Sequence, residues 1–271
     1  MNGVIELNIW QFALIYLLLL IVLFIMKKCK INQTKLLVVA SMRMTVQLVL
    51  AGLILTYIFE NPHPVFTVLY ILIMTGFAIY MTLQRNKTIN NRFKVIIGAS
   101  LAISGIAIVC FFIIIVVGVS IFNPQYTIPI SGMIIGNAMT GVGLGVKTFN
   151  ENISSQRAKI EALINMGVTP PKILTPFANQ AIETALLPTL NSMLGMGIIS
   201  LPGMMTGQIL SGTMPMTAIL YQIAIIIAIS AVTCLSIFCS LFFGYRTLYN
   251  KRNQITDIPP QSVFPHPLPK S

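Results

Sequence analysis

Side chains able to do chemistry are scarce in this sequence. Only six carboxylates and two histidines occur in 271 residues. The acids are too dispersed to pair as a general acid and base, and neither H-E-x-x-H nor G-x-S-x-G is present. No catalytic residue is therefore assigned, and no cofactor is expected. Methionines gather between Met133 and Met216, and thioethers suit Cu(I). Ferrous iron prefers imidazole and carboxylate, and the histidines (His63 and His266) are too few to supply them. The methionines are read as adaptable packing, and no metal site is assigned. Gly141-Val142-Gly143-Leu144-Gly145-Val146-Lys147-Thr148 imitates a phosphate-binding loop, but Val146 separates the last glycine from the lysine, and the stretch closes an apolar run instead of following a strand. This chain is not expected to hydrolyse ATP. What remains is Glu183, a carboxylate near the start of a hydrophobic stretch, with Leu187 and Asn191 following on the same helical face. An ionisable group there faces a polar pathway, or sits at the headgroup level beside Lys172 or Arg157. Gln47, Asn137, Gln208 and Gln222 are amides in apolar surroundings. They either stitch helices together or line the same pathway. The candidate path set is Glu183, Asn191, Asn137, Gln47 and Gln208.

The elements that position these groups follow from composition. The chain is 56% hydrophobic and only 8% charged. A soluble domain carries roughly 25% charged residues. A spanning helix needs about 20 mainly apolar residues, and candidates run near 9–26, 36–59, 65–84, 95–121, 128–146, 181–200 and 215–244. The expected fold is all-α and polytopic, with seven spans, or six as the alternative. The fifth, rich in glycine and methionine, is either a full span or a broken, re-entrant one. Residues 1–250 form one transmembrane domain, and 251–271, proline-rich and without periodicity, form a disordered tail.

Charge placement tests the count. With seven spans, Lys27, Lys28, Lys30 and Lys35 share one loop, and Arg85, Lys87, Arg92 and Lys94 share another. Lys147, Arg157, Lys159 and Lys172 fall in the fifth loop, and Arg246, Lys251, Arg252 and Lys270 follow the last span. Arg43 lies inside the second span, where it can snorkel towards Lys35. The alternate loops carry no lysine or arginine. The positive-inside rule then puts the N-terminus outside and the C-terminus in the cytoplasm of a cell membrane. The net charge of +11 is explained by this orientation and by anionic headgroups, and no nucleic-acid partner is expected. The first span is expected to be a retained anchor, because Glu6 precedes it and the basic cluster follows it. Cys29, Cys110, Cys234 and Cys239 form no C-x-x-C pair and are read as structural thiols.

The long polar stretch between spans, residues 147–179, contains Glu161-Ala162-Leu163-Ile164-Asn165-Met166-Gly167. Ser154 or Ser155 can cap a helix there, and Arg157 to Met166 are good helix formers. Gly167 is placed to end that helix in a left-handed turn, and Thr169-Pro170-Pro171 prevents its continuation. The result is a short helix along the membrane surface.

The E-A-x-x-x-x-G spacing resembles the cytoplasmic coupling segment of ABC-transporter permeases. Pro188-Thr189-Leu190-Asn191-Ser192-Met193 and the run Ser200-Leu201-Pro202-Gly203-Met204-Met205-Thr206-Gly207-Gln208-Ile209-Leu210-Ser211-Gly212 resemble the FetB-type permease family. Met133-Ile134-Ile135-Gly136-Asn137-Ala138-Met139 and Tyr221-Gln222-Ile223 add to the likeness, which covers nearly the whole chain. That resemblance implies a permease subunit, working as a homodimer with a separate cytosolic ABC ATP-binding subunit. It implies iron export, with plant relatives linked to aluminium tolerance. Glu161, Ala162 and Gly167 would be the coupling residues. One departure is that no I-x-L-P element follows Gly167 at the usual distance. The alternative is an ion-coupled carrier or channel without an ATPase, in which Glu183 titrates within the pathway.

Overall fold

The computed structural model describes residues 8–86, 89–250 and 254. Glu6, Lys87 and, Gln254 apart, the tail expected at 251–271 lie outside the described residues. Nine α-helices are found among the described residues: α1 (Ile9–Lys28), α2 (Thr34–Glu60), α3 (Pro64–Arg85), α4 (Asn91–Phe111), α5 (Pro124–Ser155), α6 (Arg157–Asn165), α7 (Pro170–Gly195), α8 (Gly203–Leu210) and α9 (Pro215–Gly244). A π-helical turn, Phe112–Val117, prolongs α4, and a 3₁₀ turn, Tyr245–Leu248, follows α9.

Local chemistry sets the helix starts. Pro64, Pro124, Pro170 and Pro215 each open a helix, where the missing N–H is not needed. Asn123 Oδ1 accepts from Gln125 N at 3.2 Å, and Asn90 Oδ1 accepts from Phe93 N at 2.7 Å. Both satisfy first-turn donors that the helix leaves free.

α5 is the central element, packed against α3, α4, α7 and α9. Glycines make this closeness possible. A Cβ on Gly141 would lie 2.6 Å from Cγ2 of Thr233, and one on Gly145 would lie 3.2 Å from both Ala185 and Ile237. α4 and α9 pack tightly at their shared end, where Gly244 faces the Phe93 ring with no room for a side chain. Ser104 and Ser236 join the same two helices by a hydroxyl contact of 2.5 Å.

Two ends can be distinguished. At one, Asn90 Nδ2 donates to Thr247 O at 3.2 Å, tying the start of α4 to the end of α9. At the other, Thr67 Oγ1 donates to Phe122 O at 3.2 Å, tying the start of α3 to the loop before α5. Tyr57 and Phe66 meet at that second end with ring centroids 6.1 Å apart, so α2 runs antiparallel to α3. The first end carries Lys35, Arg85, Arg92 and Arg246 and is called the basic end, and the second the neutral end.

Among the described residues six helices are long and apolar enough to cross a bilayer: α1 from Trp10, α2, α3, α4 with its π turn, α5, and α9 with its 3₁₀ turn. Their outward faces are apolar: Leu14, Leu48 and Ile103 are 61%, 65% and 71% exposed. Such a continuous apolar exterior needs lipid around it. This is an all-α, multi-span membrane protein. The fifth candidate span is not broken, because α5 runs unbroken for 32 residues despite Pro129 in its second turn. α7 has the length, 26 residues, but not the composition. It carries Lys172, Asn179, Gln180, Glu183, Asn191 and internal Pro176 and Pro188. It begins eleven residues before the expected boundary at 181 and ends at Gly195, five before the expected 200.

Candidate functional site

The expected surface loop 147–179 is mostly helix. Nothing in Lys147–Ser155 breaks α5, and Lys147 Nζ sits 3.7 Å from Glu151 Oε1 along it. α5 therefore continues about 12 Å beyond Lys147, and α7 starts well before its apolar part. α6 bridges the two tips. Neither serine caps it: Gln156 holds the cap position without a side-chain bond, Ser154 is buried, and Ser155 Oγ turns back to Asn152 O at 3.1 Å. The physical reason is that α5 keeps both serines in its own last turn.

The end of α6 is as expected. Gly167 has φ +79°, in the left-handed region. Its N–H donates to Ile164 O at 2.9 Å, and Val168 N donates to Leu163 O at 3.0 Å. This is the paired bonding of a Schellman cap. One face of α6 is anchored: Ile160 is fully buried in a cluster that includes Phe93, Phe149, Ile153, Ile173 and Tyr245. The opposite face is presented to solvent. Glu161 is 53% exposed and accepts from Arg157 Nε at 2.8 Å, and Ala162 and Gly167 are exposed. Met166 is 78% exposed. Sequence reasoning passed over Met166; its place just before the left-handed glycine was the signal.

The path candidates separate into groups. Gly145 faces Ala185, and Asn152 Nδ2 donates to Gln180 Oε1 at 3.2 Å, so α5 and α7 are antiparallel. Glu183 lies between Gln180 and Ala185, and Lys147 between Gly145 and Asn152, which puts both in one layer near the basic end. Glu183 is exposed and makes no ion pair among the described residues. It is not paired with Lys172 or Arg157.

Deeper between α5, α7 and α9 lies a cavity of about 110 Å³ lined by Asn137, Thr140, Leu144, Pro188, Thr189 and Ser192, among others. Asn137 is exposed on its rim, with Nδ2 donating to Met133 O at 2.8 Å. Thr140, Thr189 and Ser192 are polar partners that the sequence reading did not single out. Thr140 stands one turn from Asn137, and Thr189 and Ser192 flank Asn191, which is itself exposed. Asn137, Thr140, Lys147 and Glu151 on α5, with Gln180, Glu183 and Asn191 on α7, are all exposed and make one polar face.

Gln47 and Gln208 do not join it. Gln47 is exposed on α2. Gln208 belongs to α8 at the neutral end, where its Oε1 and that of Gln222 are buried without a hydrogen-bond partner among the described residues. Gln222 Nε2 lies 3.9 Å from Met196 Sδ. Among the described residues no three His, Cys, Asp or Glu side chains come together as metal ligands.

The comparisons with known proteins agree with this architecture. No solved structure matches the chain. It is 33% identical to "UPF0014 membrane protein YjkA" of Bacillus subtilis over 90% of this chain and 96% of that one. It is 32% identical to "Probable iron export permease protein FetB" of Escherichia coli, over 90% and 93%. It is also 32% identical to "Protein ALUMINUM SENSITIVE 3" of Arabidopsis thaliana, over 79% and 77%. The model of UPF0014, described as an uncharacterised protein family, matches residues 9–249, and the chain belongs to that family of membrane proteins.

Proposed function

We propose that this chain is the membrane-spanning permease subunit of an ABC transporter. It works as a homodimer with two copies of a cytosolic ATP-binding subunit. The basic end faces the cytoplasm, the N-terminus lies outside the cell membrane, and α7 completes a seventh span inside the assembly. The observation that carries this reading is the continuity of α6 with the polar face of α5 and α7. A short helix with one exposed face projects at the basic end and is joined directly to the two helices that carry the polar side chains. A partner that grips Glu161, Ala162, Met166 and the Gly167 turn moves both helices at once. The buried Ile160 passes that motion to α4 and α9 through the shared cluster. ATP binding in the partner then shifts the equilibrium between two arrangements of the helices.

A polar face exposed to lipid is unfavourable, so a second copy covers it and encloses the pathway between the two. The cargo is a metal, with iron supported by the printed name of the Escherichia coli relative, or a related small solute.

Detergent pull-down with the candidate ATP-binding subunit tests this, with wild type beside Glu161→Ala and Gly167→Pro. The wild type is expected to co-purify and to stimulate ATP hydrolysis, and both variants to lose much of each. If no ATP-binding subunit is captured by any form, the permease reading falls, and an ion-driven carrier using Glu183 takes its place.

A further inference from the structure

Arg43 is a charged residue well inside α2, nine residues or about 13 Å beyond Thr34. The sequence suggests that such a side chain runs back to the surface. Its guanidinium carbon lies 5.4 Å from the centroid of the Phe77 ring on α3. Phe77 stands eight residues, about 12 Å, before Arg85, which closes α3 at the basic end. The charge is thus held about two turns inside the basic ends of both helices, within their apolar spans.

Among the described residues no carboxylate meets it there. The ion pairs among the described residues are Lys147–Glu151 and Arg157–Glu161. Glu60 closes α2 at the neutral end, and Glu183 lies in the layer of Lys147. Glu6 and Asp257 precede α1 and follow α9 in the sequence. A second copy in the same membrane orientation carries its described acids at these same depths and supplies no partner from among them.

A ring face offsets only part of the cost of a desolvated cation, and leaves the N–H donors of the guanidinium free. Gln47, one turn further along the same face of α2, is exposed and has no protein partner among the described residues. A planar fork of donors with an amide beside it fits a carboxylate or a phosphate, which it binds through two parallel hydrogen bonds.

We propose that Arg43, backed by Phe77 and assisted by Gln47, is an oxyanion-binding site within the apolar spans. It takes the carboxylate or phosphate group of a solute or of an anionic lipid, at a place on α2 and α3 apart from the polar face of α5 and α7, so it goes beyond the permease reading and does not rest on it.

The test uses the full chain in nanodiscs, without an ATP-binding subunit, so its failure is separate from a failed pull-down. In the first arm, discs of phosphatidylcholine alone are titrated with radiolabelled citrate and with inorganic phosphate. In the second, chain purified from phosphatidylglycerol-containing discs is examined by native mass spectrometry for retained lipid. Wild type is expected to bind a soluble oxyanion saturably, and Arg43→Gln to bind it about tenfold or more weakly, the loss of a charge-assisted pair. Arg43→Lys, which keeps the charge but loses the fork, should fall between. If only phosphatidylglycerol is retained, and Arg43→Gln loses it, the site stands with lipid as its source. Equal behaviour of Arg43→Gln and wild type in both arms overturns the site. If Arg43→Gln does not fold, Arg43→Lys decides, and unchanged binding of all three probes overturns it equally.

Discussion

Ile160 and Glu161 are adjacent in α6, the first buried and the second exposed, so their substitution should have separable effects. Ile160 has no exposed surface, and its truncation leaves a cavity in the cluster at the basic end. Ile160→Ala should cost about 2–4 kcal/mol of stability, read as a lower thermal midpoint in detergent. Glu161 makes one half-exposed pair with Arg157, and such pairs contribute about 0.3–0.5 kcal/mol. Glu161→Ala should leave the midpoint nearly unchanged while weakening capture of the ATP-binding subunit. A Glu161→Ala midpoint as low as that of Ile160→Ala would contradict this division of roles. Gly167 was legible in the sequence because a glycine followed by Thr169-Pro170-Pro171 leaves the chain little choice but a left-handed turn. The serine caps were misread for a reason of context. Capping residues signal a start only where the preceding helix has ended, and α5 had not.

At the scale of elements, the glycines of α5 show what spacing can and cannot reveal. Gly132, Gly136, Gly141 and Gly145 mark close approach in the sequence, but not which neighbour approaches. Gly141 and Gly145 serve the contact with α9, Gly145 also touches α7, and Gly132 meets Met74 of α3. Gly136 and Gly143 face open space. Gly141→Ala should therefore force α5 away from α9, at about 1–3 kcal/mol, while Gly136→Ala should leave the thermal midpoint of the isolated chain unchanged or slightly raised. Equal midpoints for the two variants would mean that α5 and α9 are not as close as described. The long extent of α7 was less legible. Hydropathy registers only the part that packs like a membrane span, and Glu183, Pro188 and Asn191 leave its edges poorly fixed. Here helix continues through Pro176 and Pro188, with Phe177, Ala178, Ala181 and Ala185 buried against its neighbours.

For the whole molecule, the distribution of charge was the strongest signal in the sequence, because the alternation of basic and neutral loops fails if one span is miscounted. The structure gathers Arg85, Arg92, Lys147 and Arg246 towards one end, but length and composition qualify only six helices among the described residues as spans. The difference is α7, too polar to face lipid alone and packed against α5 and α9. A helix of that kind is stable at membrane depth only if its polar side meets protein or water. In the proposed homodimer the exposed face formed by Asn137, Thr140, Glu183 and Asn191 is covered by the second copy, and a two-fold axis along that face sets the same residues of the two copies opposite each other. In a variant whose four native cysteines are replaced, Thr140→Cys should oxidise to a disulfide-linked pair in native membranes. Val142→Cys, on the buried side of α5, should not. A thiol at 140 that reacts fully with a water-soluble maleimide yet never forms the pair would leave the face open to water. The pathway would then belong to a single copy, and α7 would be its wall instead of the seam between two.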